Sequence, residues 1–67
     1  MVPIIYLRAD APARIVKEVL AGIILYDLWD TQMPMYPYQT NIEVSELHVD
    51  EVIEALEDSG IRWIYDE

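Results

Sequence analysis

The chain has no cysteine and no phenylalanine, only two glycines, a single histidine, and four Lys and Arg residues against 13 acids. Each shortage removes a class of explanation. Without cysteine no disulfide staples the domain, and His48 alone does not make a zinc site, so packing or oligomerisation must hold the chain together. Gly22 and Gly60 are too few and too far apart for a phosphate-cradling loop, and neither Ser45 nor Ser59 has a histidine in a recognisable nucleophile motif. The acids lack the spacing and central glycine of an EF-hand loop. A non-enzymatic protein with no cofactor and no dedicated metal site is the expectation. The apolar stretch that begins at Val19 is interrupted by Asp27, well short of a membrane span, and Met1 to Arg8 lacks the basic start of a signal peptide. A soluble, cytoplasmic chain that binds no membrane is therefore expected, the cytoplasm being the host's if the protein is phage-encoded.

What is present is apolar: 54% of the 67 residues are hydrophobic, too many for a disordered acidic tail, and the length suits one domain over residues 1–67. The charge is segregated. Up to Met33 three bases meet four acids, a net −1, whereas from Pro34 onward nine acids meet Arg62 alone, a net −8. That excess repels phosphates, so direct nucleic-acid binding is not expected.

Val2 to Arg8 is β-branched and aromatic and predicts a strand, with Ile5 and Leu7 on one face and Ile4, Tyr6 and Arg8 on the other. Asp10 stands where a helix N-cap would, with Pro12 in the first turn. Ile15, Val16, Val19 and Leu20 then form one apolar arc, ending near Gly22 at C′. Continuing that helix to Trp29 is the alternative, but it would bury Asp27 and Asp30, so Ile23 to Asp30 is read as a second strand. Thr31 to Gln39, with Pro34 and Pro37, is a loop. Asn41 to Glu46 alternates as a third strand, with Ile42 and Val44 inward. Val49, Val52, Ile53 and Leu56 fall within an arc of about 100°, predicting a helix from Val49 to Ser59 closed by Gly60 at C′ and Ile61 against Leu56. Ile61 to Tyr65 completes the pattern as a last strand, with either Ile61, Trp63 and Tyr65 or Arg62 and Ile64 facing the helices. The fold class is α+β, a ferredoxin-like βαββαβ with a four-stranded antiparallel sheet and two helices on one face.

Asp10-Ala11-Pro12-Ala13 and the run from His48 to Ile61 resemble the first turn and second helix of ACT-type regulatory domains. The resemblance implies a domain that dimerises and senses a small ligand; the family's turn glycine is matched here by Ala13. The same topology serves RNA-recognition motifs, whose sheet aromatics stack on bases, and Tyr6, Trp63 and Tyr65 are the aromatics to consider.

The second helix carries the most specific signal. Asp50, Glu51, Glu54, Glu57 and Asp58 lie within about 120°, opposite the apolar stripe and with no base among them. Over eight rises of ~1.5 Å they present one carboxylate per ~3 Å, close to the ~3.4 Å between charges along one DNA strand. This face is expected to dock on a basic protein surface of a nucleic-acid-binding protein. One form of that reading is a nucleic-acid mimic, such as a phage would use against a host nuclease or a CRISPR-type anti-phage complex. The plainer alternative to docking is an ordinary solvated helix face in an acidic protein. Met33, Met35, Tyr36 and Tyr38, on the proline-fixed loop, form a second candidate contact surface. The sheet face bearing Ile4, Tyr6 and Ile64 is a third, suited to assembly as a subunit or homodimer. His48 is read as an N-cap supported by Glu51.

Overall fold

The computed structural model describes residues 1–31 and 38–66. The elements run β1 (Ile4–Ala9), α1 (Ala13–Val19), β2 (Asp27–Asp30), β3 (Thr40–Ser45), α2 (Val49–Asp58) and β4 (Trp63–Tyr65). The four strands form one antiparallel sheet in the order β2-β3-β1-β4, compatible with the expected ferredoxin-like fold. β1 pairs with β3 from Ile4↔Ser45 to Ala9↔Thr40, which sends Leu7, Ala9, Ile42 and Val44 to one face. Val16 and Leu20 of the α1 region and Val52 and Leu56 of α2 close over these residues, and none of the eight is more than 2% exposed. Two amphipathic helices on one sheet face thus bury a single core, and the other sheet face carries none of it.

The core includes one polar residue. Thr40 points inward from the end of β3 and is fully buried, but its hydroxyl donates to the Ala11 carbonyl at 2.6 Å. The burial is tolerated because the pair satisfies both groups.

The end of α2 has the geometry its sequence implies. Ser59 is the C-cap, Gly60 takes φ +71°, Gly60 N–H donates to Glu57 and Ile61 N–H donates to Leu56. This is the Schellman pair of bonds, and only the glycine occupies the left-handed region without strain.

The start of α1 differs from expectation. Asp10 does not cap it: its carboxylate faces Arg62 at 3.3 Å and its N–H donates to the Arg62 carbonyl, so it ties β1 to the approach of β4. The cap position is Pro12, which has no side-chain acceptor, and the Ala13 N–H donates instead to Asp30 Oδ1 at 3.1 Å. The helix then ends at Val19, and Gly22 (φ +89°) sits in the following turn rather than at C′. The continuation to Trp29 does not occur.

β2 is shorter than the predicted Ile23 to Asp30. Its register, Asp27↔Glu43 to Asp30↔Thr40, is limited by β3, which ends at Ser45, so Ile23 and Ile24 have no strand to pair with. β4 begins only at Trp63 because the backbone of Ile61 and Arg62 is engaged with Leu56 and Asp10. Its register opposes Trp63 to Ala9 and Tyr65 to Leu7, placing both aromatics on the helix side and Ile64 on the other. Trp63 and Tyr65 meet edge to face at 5.1 Å. Tyr6 lies on the opposite sheet face, so the three aromatics do not form one stacking platform.

Candidate functional site

α2 presents the acidic surface. Because Val49, Val52 and Leu56 turn toward the sheet, Asp50, Glu51, Glu54, Glu57 and Asp58 are left exposed on the far side. The four bases stand elsewhere: Arg8 pairs with Asp66 at 3.1 Å, Arg62 faces Asp10, and Arg14 and Lys17 belong to α1. Among the described residues, Asp50, Glu54, Glu57 and Asp58 form no ion pair. His48 does cap α2 by position, but its ring makes no capping hydrogen bond, and Nδ1 lies 3.7 Å from the Glu51 carboxylate. With no Lys or Arg among them, these acids repel one another across each helical turn, a cost partly offset for Asp50 and Glu51 by their place at the helix N-terminus.

Four of the five acids line two shallow depressions. Glu51, Glu54 and Asp58 border a groove of about 300 Å³ floored by Ile23 and Ala55. Glu57 stands at a more open depression of about 450 Å³ with Tyr38, Ile61, Arg62 and Trp63. Tyr38 thus joins the acidic helix at one rim, with the Arg62 guanidinium 6.0 Å from its ring centre. Met33, Met35 and Tyr36, with the rest of the 32–37 stretch of the expected loop, lie outside the described residues, so of the proposed loop contacts only Tyr38 is placed. Among the described residues no group of three or more His, Cys, Asp or Glu is arranged to hold a metal ion, and no helix is long and apolar enough to cross a membrane.

No protein-family model, curated protein or solved structure matches this chain. The functional reading therefore rests on the surface itself.

One part of that surface was not singled out by sequence reasoning. Ile24, Leu25, Tyr26, Ser45, Leu47 and His48 line a cleft of about 190 Å³ at the head of α2. Ile24 is 71% exposed, Tyr26 60% and Leu47 72%. Leu47 occupies the N′ position, from which a hydrophobic residue ordinarily staples onto the helix at Val52. Its position next to His48 was the available signal; its exposure shows the staple is not made.

Proposed function

We propose that this chain is a non-enzymatic protein-interaction module that docks the acidic face of α2 on a basic protein surface. The observation that supports it is the segregation just described: five exposed acids on one helix face, with every base of the chain on other elements. A face kept for solubility alone gains nothing from excluding Lys or Gln, whereas a partner lined with Arg and Lys gains from every carboxylate left free. In its finer form the reading is a nucleic-acid mimic, since one carboxylate per ~3 Å of helix approximates the charge spacing of a DNA strand. A nuclease or a CRISPR-type complex with a basic groove is the kind of partner this fits. The test is binding to a panel of basic nucleic-acid-binding proteins across a salt series. Affinity should fall steeply with salt and be lost on reversing Asp50, Glu54 and Glu57 to Lys; binding that ignores the reversal removes the reading.

A second reading rests on the sheet face away from the helices, where Ile4 and Trp29 are each 41% exposed and Tyr6 is 45% exposed. With Ile64 on the same side, these residues suit assembly as a homodimer or as a subunit of a larger complex. Mass measurement in solution at high concentration tests the homodimer directly, and a strict monomer argues against it.

A further inference from the structure

Setting aside Met1 at the chain start, the three most exposed large apolar side chains among the described residues are Leu47, Ile24 and Tyr26. All three line the same cleft. Scattered apolar residues are ordinary on a protein surface, but a cluster around a concavity is not. The cleft is too small for a drug-sized ligand, whose pockets run to roughly 300–1,000 Å³. At about 190 Å³ it suits one side chain, since an apolar cavity of ~150 Å³ holds a benzene ring.

The cleft and the acidic groove are neighbours along α2. Ile24 lines one and its neighbour Ile23 the other, and the His48–Glu51 contact bridges their walls. Beyond His48 the carboxylates recur at Glu51, Glu54 and Asp58, seven residues or ~10 Å of helix from first to last. We propose that these two adjoining surfaces take a peptide segment of the partner in which one large apolar side chain, seated between Ile24, Tyr26 and Leu47, is flanked on one side by two or three arginines or lysines set against Glu51, Glu54 and Asp58. The inference rests on the acidic-face reading and adds the anchor and its polarity along α2. Charge complementarity selects the occupant: a second copy of this acidic chain would bring further carboxylates to the groove, whereas a basic segment neutralises it. The apolar anchor supplies what salt does not screen, and the acids supply orientation and encounter rate.

The experiment titrates the isotope-labelled full chain with two synthetic helical peptides, followed by amide resonances. One peptide carries Phe followed by Arg at helical spacing, and the other has Ser in place of Phe. The Phe peptide is expected to move Ile24, Tyr26, Leu47 and His48 together with Glu51, Glu54 and Asp58, and to bind at least about tenfold more tightly than the Ser peptide. Leu47→Ser and Ile24→Ser alter residues with little buried surface, so the fold should persist, as circular dichroism would verify. Both should erase the difference between the peptides, while Glu54→Lys weakens both. If the peptides bind equally and move only Glu51 to Asp58, the anchor is overturned and the acidic-face reading stands. If neither binds, or both act on another face, both ideas fall.

Discussion

Glu54 offers a direct measure of how much the acidic face costs its own fold. It stands one helical turn from Asp50, Glu51, Glu57 and Asp58, and so takes part in every i,i+3 and i,i+4 acid pair on α2. Each like-charge pair on a helix surface costs about 0.2–0.5 kcal/mol, so Glu54→Gln should relieve up to about 1–2 kcal/mol. Gln and Glu have nearly equal helix propensity, which leaves charge as the variable. In a domain of this size each kcal/mol moves the melting temperature by about 4–8 °C, so an increase on the order of 5–10 °C is expected at low ionic strength. At 1 M salt the Debye length falls to about 3 Å and the gain should vanish. Glu18 of α1 is the control, because Arg14 lies one turn before it. Glu18→Gln should leave stability unchanged or slightly lower. An unchanged melting temperature for Glu54→Gln at low salt, or a gain that survives 1 M salt, would refute the claim that the face is strained. It would also remove the main reason to look beyond solubility for its purpose.

Two further outcomes concern the fold. Asp30→Ala should destabilise by about 1 kcal/mol and speed hydrogen exchange at the Ala13 amide, whereas Asp30→Asn should retain most of the stability, because either side chain offers the oxygen that Pro12 lacks. Thr40→Val keeps the shape of the core but leaves the Ala11 carbonyl without its donor, and urea denaturation should register a loss of about 1–3 kcal/mol; an unchanged midpoint would show that the carbonyl finds another partner.

The parts of this molecule legible in its sequence are those governed by neighbours in the chain. The apolar arc of α2, its Gly60 and Ile61 ending, and the alternation of β1 and β3 all follow from local periodicity, and the structure has them close to where they were expected. What was not legible depends on partners distant in sequence. Asp30 caps a helix 17 residues before it, while Asp10, the local candidate, is held by Arg62 from the other end of the chain. The length of β2 is set by where β3 stops. The face of β4 turned toward the helices was open until its register with β1 decided it. The acidic face was legible as a helical arc, but the apolar cleft beside it was not, since Ile24, Tyr26 and Leu47 come from two separate connections and meet only in the folded chain.

The brevity of the outer strands has a bearing on how readily another chain could add to this sheet. β2 and β4 flank the sheet with four and three residues each, while the longer ladders of β1 and β3 lie between them. An unprotected border of a sheet is a template for adding strands from other molecules, and its hazard grows with its length and flatness. Here β2 begins and ends on aspartate, and β4 is followed by Asp66, so a foreign strand joining either border meets few free backbone groups and a negative charge. Lengthening β2 into the Ile23–Tyr26 segment would remove that protection, leaving a longer apolar border open to other chains.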